Sequence, residues 1–114
     1  MTRLTASRDR GAVTAEVAVT LPVVVLVLAA CLGGLGLAAA HVRAQDAAAD
    51  AARLLGRGEA LEVAQQHVAR TVAGATLVVT RPRDLVCTTV QFEQRVMLVP
   101  VVLTASSCAL DGGW

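Results

Sequence analysis

Hydrophobic and polar positions change period several times along this chain. From Val17 to Ala40 no side chain carries a charge. At ~1.5 Å rise per residue this run makes a helix of roughly 36 Å, enough to cross a hydrocarbon core of ~30 Å. From His41 to Leu55 the period becomes helical in water: Ala44, Ala48, Ala51 and Leu55 fall on one face, while Arg43, Asp46, Asp50, Arg53 and Arg57 draw a charged stripe along another. That stripe is either a solvated face or a surface that pairs with neighbours. Gly56-Arg57-Gly58 is expected to stop the helix, because glycine readily supplies a left-handed cap. A second helix is predicted over Glu59–Ala73, with Leu61, Ala64, Val68 and Val72 on one side.

After Gly74 the alternation becomes strand-like. Thr76–Arg81 reads as a strand, Arg81-Pro82-Arg83-Asp84 as a turn with Pro in a favoured place, and Leu85–Glu93 and Val96–Ser107 as two more strands. Pro100 moves the last of these to an edge. Strand parity sets Cys87 with Thr89, Gln91 and Glu93, opposite Val86, Val90 and Phe92. Cys108 sits with Thr104 and Ser106, opposite Val99, Val101 and Leu103. Both thiols therefore lie on the more polar face of adjacent strands, where they either form a bridge or remain as two small hydrophobes. The tail from Asp111 is expected to fray.

Composition changes this picture in two respects. The chain has 114 residues, so once the apolar run is set aside only one small domain remains. Aromatic residues number only Phe92 and Trp114, which leaves a thin core that gains from a staple. Ten arginines and no lysine stand against nine acids, a near-neutral balance that argues against nucleic acid as a partner. Arg3, Arg8 and Arg10 against Asp9 make residues 1–10 basic. The positive-inside rule then keeps them cytoplasmic and sends residues 41–114 outward. A Cys87–Cys108 pair suits the oxidising side of the membrane, so two independent sets of residues agree on the orientation.

Catalytic patterns are missing from the sequence. His41 and His67 are far apart with no Cys or carboxylate at ligand spacing, and no nucleophile elbow, P-loop or H-E-x-x-H run occurs, so neither an enzyme nor a metal or cofactor is expected. Two other features carry information. Small residues recur four apart, Ala29 with Gly33, Ala30 with Gly34 and Gly36 with Ala40, spacing that lets a second helix approach closely in lipid or that reflects how common such residues are in spans. Gly11 is followed five residues later by Glu16, a lone acid at the head of the apolar run. Cutting after Gly11 would give Ala12 a new ammonium group one turn from that carboxylate, and Glu16 of one subunit would then neutralise the amine of another. The alternative is an interfacial acid at a helix N-terminus.

The run RGAVTAEVAVTLPVVVLVL, the Ala-rich AQDAAADAARLLGRGE and the late VVLTASSCALDGG resemble the TadE family, minor pilins or pseudopilins of the tight-adherence branch of type IV pilus systems. The resemblance covers most of the chain and is most specific around residues 10–58. It implies cleavage by a membrane prepilin peptidase between Gly11 and Ala12, Glu16 as the registering acid of the mature subunit, and a structural role beside other pilin subunits and pilus assembly membrane proteins. Val17 after Glu16, where the major pilins carry Glu-Tyr, favours a minor subunit. Two rivals have sequence support. Leu28-Ala29-Ala30-Cys31 fits a lipobox, which would make Cys31 the lipidated start of a lipoprotein. Ala38-Ala39-Ala40 resembles a signal-peptidase site releasing a small secreted binding domain that starts at His41. The expected architecture is α+β: a basic leader (1–11), a single transmembrane helix (12–40) in the bilayer, a helical extracytoplasmic segment (41–73) and a small antiparallel sheet (74–114).

Overall fold

A computed structural model describes the backbone of residues 2–112 and the side chains of residues 11–112. Arg3, Arg8, Asp9 and Arg10, with their leader charges, lie outside the described side chains, and Trp114 lies outside the described residues. The fold is α+β. Helix α1 covers Thr2–Gly56 and helix α2 covers Leu61–Thr71. Strands β1 (Thr76–Thr80), β2 (Leu85–Val96) and β3 (Val99–Leu110) form an antiparallel sheet in the order β1-β2-β3. Two compact units divide the chain, residues 1–34 and residues 35–114.

In the first unit the described residues are helical throughout, and nearly every large apolar side chain is exposed, from Val13 through Leu32. Pro22 is accommodated inside the helix. The segment is long and apolar enough to cross a membrane.

The second unit is a helix-on-sheet layer. Its core consists of Ala44, Ala47, Ala48, Ala51 and Leu55 from α1, Ala64, Val68 and Val72 from or next to α2, and Val86, Val90, Phe92 and Ala105 from the sheet. Alanine is a good helix former and too short to hold a neighbour away, so one residue type both builds α1 and brings it close to the strands. The closeness has direct markers. The Thr88 hydroxyl, fully buried, donates to the Ala48 carbonyl at 2.5 Å, and Gln45 Nε2 donates to the Ser106 carbonyl at 2.7 Å. At Gly56 an added Cβ would stand 2.6 Å from the Leu110 carbonyl oxygen, and the Gly112 N–H donates to the Gly56 carbonyl at 2.9 Å.

The two glycines at the end of α1 thus have separate tasks. Gly56 permits the close approach, while Gly58, with φ of 90°, is the left-handed cap. Gly58 N–H donates to Leu55 O and Glu59 N–H to Leu54 O, the paired bonds of a Schellman ending.

Several boundaries differ from the sequence expectation. Helix α2 starts at Leu61 and ends at Thr71, inside the predicted Glu59–Ala73, because Ala60 and Val72 are both extended. Strand β1 ends at Thr80, and the hydrogen-bonded turn runs from the Pro82 carbonyl to the Leu85 N–H with Arg83 at φ 54°. Strand β2 continues to Val96 and β3 begins only at Val99, since Met97 and Leu98 take positive φ (49° and 72°) and form a two-residue hairpin loop. Pro100 lies on β3, an edge strand, as expected. The stretch after β3 is tied down at its start. Asp111 N–H donates to the Asp84 carbonyl at 2.7 Å and Arg81 Nη1 lies 3.4 Å from Asp111 Oδ2, so the frayed tail expected from Asp111 does not begin there.

Candidate functional site

Among the described residues, most large apolar side chains of α1 from Val13 to Leu35 are exposed. Glu16 is exposed there. It shares a shallow, open depression with Ala15, Val19 and Thr20, all on successive turns of one face. The Thr20 hydroxyl donates back to the Glu16 carbonyl at 2.7 Å, an i−4 bond that leaves the Glu16 carboxylate out of it. Gly11 and Ala12 are exposed within the helix, and a side chain added at Gly11 would meet nothing within 4 Å.

The small residues fall into two groups. Ala30, Gly34 and Gly36 are exposed, and a Cβ at Gly34 or Gly36 would meet nothing, so contacts within the chain do not require glycine at either position. Ala29 and Gly33 are half-buried. Ala40 is half-buried too, packed against the chain's own core. Cys31 is an exposed free thiol in the middle of the helix.

On the sheet, Cys87 and Cys108 are directly opposite in register and joined by a disulfide, with a Cα–Cα distance of 4.0 Å. Both occupy the outer face, where β2 and β3 otherwise show Thr89, Gln91, Thr104 and Ser106. The bridge therefore uses no core position.

Sequence reasoning missed two contacts. Thr88 points into the core from a face that otherwise carries Val86, Val90 and Phe92; its even parity placed it there, but its acceptor on α1 was not readable. His67 is more than a polar-face residue: its Nε2 lies 3.2 Å from Asp50 Oδ2, linking α2 to α1, with Arg53 Nη1 3.6 Å from Asp50 Oδ1. One acid of the charged stripe is thus used within the chain. Both members are about half exposed, which keeps this link weak. Among the described residues, no group of three or more His, Cys, Asp or Glu gathers in metal-binding geometry.

No curated protein and no solved structure matches the chain. A family model does, over residues 11–53, from the glycine before Glu16 to the last charged turn of α1. Over that stretch the chain matches the TadE-like family, the one its residues suggested.

Proposed function

We propose that the chain is a minor pilin, or pseudopilin, with a structural role in assembling a Tad-type pilus or a related secretion apparatus. The observation that carries this reading is the exposed apolar surface of α1 between Val17 and Leu35, inside the TadE-like stretch. Apolar side chains left bare over many turns need lipid before assembly and other helices after it. In this reading residues 1–11 are a cytoplasmic leader and residues 12–40 cross the inner membrane. Residues 41–73 and 74–114 form the outer domain, where an oxidising environment keeps Cys87 and Cys108 bridged. Prepilin peptidase cuts between Gly11 and Ala12. The new ammonium of Ala12 and the Glu16 carboxylate of another subunit then neutralise each other as the helices stack. Ala29, Ala30, Gly33, Gly34 and Gly36 supply the close helix approach, and Ala40 is shared with the outer domain. The role is mechanical, so no catalytic group is invoked.

The experiment is the intact mass and N-terminal sequence of the protein recovered from membranes, followed by Glu16→Ala. A chain starting at Ala12, with the variant inserted in the membrane but failing to assemble, is the expected result. A chain starting at a lipidated Cys31 or at His41 would overturn the pilin reading. Normal assembly of the Glu16→Ala variant would remove the registering role.

A further inference from the structure

The β2–β3 hairpin ends in an apolar finger. From Val96 to Leu103 the sequence is V-M-L-V-P-V-V-L, eight residues without a charge. Leu98 at the tip is 89 % exposed, and Met97, Val99 and Val102 are each more than half exposed. Val99 and Val102 lie on opposite faces of β3, so the tip and this strand are apolar on both sides, while Glu93, Gln94 and Arg95 stand across from them on β2. Met97 and Leu98 are also the two turn residues with positive φ, positions that Asn-Gly would fill with far less strain. Two bulky apolar side chains are held in an unfavourable backbone conformation at the most exposed point of the sheet. Local folding alone would not select them.

Register within the second unit fixes where the finger points. Gly56 of α1 lies against Leu110, which pairs with Leu85. Ala48 meets Thr88. Ala40 and Arg43 line a common groove with Phe92, Glu93 and Gln94. Moving up β2 therefore means moving back along α1, toward its apolar run. A strand rises ~3.3 Å per residue against ~1.5 Å in the helix, so three or four residues beyond Gln94 bring the tip roughly level with residue 35, allowing for oblique packing. Leu37, alone among residues 35–39, is half-buried while its neighbours are exposed. The tip thus reaches past Ala40, alongside helix that carries no charge. Arg95, exposed and two residues short of the loop, sets a cation just below the apolar tip.

We infer that the Met97–Leu98 hairpin tip is a second membrane contact, inserting into the outer interfacial layer of the bilayer. The occupant is lipid rather than a protein groove because the Met97–Leu98 tip and β3 are apolar on both faces and the tip lies level with uncharged residues of α1. The inference rests on the membrane-anchored reading above. Its consequence is that the outer domain is held at two points on the membrane and is fixed in orientation before assembly.

The test uses the full chain, with Cys31→Ser and the Cys87–Cys108 bridge intact, in vesicles of phosphatidylethanolamine and phosphatidylglycerol. A nitrobenzoxadiazole label is placed in turn at Leu98→Cys, at Met97→Cys, at Val25→Cys within the apolar run and at Thr104→Cys on the outer sheet face. The labels at 97 and 98 are expected to emit blue-shifted relative to 104, to be quenched by doxyl-labelled lipid, and to show a several-fold lower iodide quenching constant than 104. Iodide quenching at 98 equal to that at 104, with position 25 quenched by doxyl lipid, overturns the finger while the anchor stands. Shielding of 98 from both quenchers means a second copy covers it, which also overturns the lipid assignment. Absence of doxyl quenching at position 25 removes the membrane reading itself and the finger with it.

Discussion

Replacing Gly56 with alanine sets two effects of opposite sign against each other. In an ordinary helix the change is favourable, worth at most about 1 kcal/mol near the last turn. Here the new Cβ would lie 2.6 Å from the Leu110 carbonyl oxygen, with Leu110 C at 3.7 Å and Ala109 Cβ at 3.9 Å. The close neighbour is backbone, held in the sheet by pairing with Leu85. It cannot swing aside as a side chain would, so the end of β3 has to retreat by about half an ångström or more, a strain of about 1–3 kcal/mol. That retreat also weakens the Gly112 N–H bond to the Gly56 carbonyl, worth about 1 kcal/mol. The net expectation is destabilisation by about 2 kcal/mol, or a urea midpoint lower by roughly 1–2 M for so small a domain. The assay is urea unfolding of the full chain in detergent micelles, followed by hydrogen exchange at the β2–β3 amides. Gly36→Ala, whose Cβ meets nothing, is the control and leaves the midpoint at or somewhat above the parent's, as helix preference alone dictates. A Gly56→Ala protein as stable as the parent, or more so, would refute the close approach of α1 to β3.

Two further predictions concern the sheet. Replacing both Cys87 and Cys108 by serine releases a loop of 21 residues' separation, and the chain-entropy model puts the loss at about 3 kcal/mol. Non-reducing urea titration against the parent checks this, and because neither cysteine is in the core, an unchanged midpoint would mean that the bridge adds nothing to folding. Thr88→Val keeps the shape and removes only the hydroxyl that donates to Ala48; the loss should be about 1 kcal/mol by the same titration, and Thr88→Ala should cost more because it also opens a cavity.

How much was legible in the sequence depends on how local the signal was. The Ala44, Ala48, Ala51, Leu55 face could be read from spacing, and all four residues are buried. The faces of Cys87 and Cys108 followed from strand parity because nothing interrupts the alternation between Leu85 and Phe92. The hairpin loop was not readable. Met97 and Leu98 carry no turn signal, and inside an apolar run they look like strand, so β2 was ended three residues early and β3 was begun three residues early. Turn chemistry is legible only where the residues favour the turn. A loop that goes against their preference becomes visible only once both strands are paired. Long-range polar contacts were hidden for a different reason. Asp50 with His67 and Thr88 with Ala48 join segments 17 and 40 residues apart, and spacing in one element says nothing about which element it meets.

The manner in which α1 is attached to the sheet follows from its alanines. A buried alanine methyl removes little apolar area from water, at roughly 25 cal/mol per Å², so an alanine-faced helix gains less from transfer than a leucine-faced one. What it gains instead is proximity, and proximity allows side chains and backbone N–H groups to hydrogen-bond the backbone of the opposing segment. Gln45 reaches the Ser106 carbonyl at one end of the contact, Thr88 reaches the Ala48 carbonyl in the middle, and Gly112 reaches the Gly56 carbonyl at the other end. These contacts specify one register of helix against sheet, because sliding α1 by a single residue would break all three and drive a Cβ into Leu110. A leucine face would bind the sheet more strongly but would tolerate several registers. Within the second unit, the alanines of α1 are thus the means by which one register of helix against sheet is fixed.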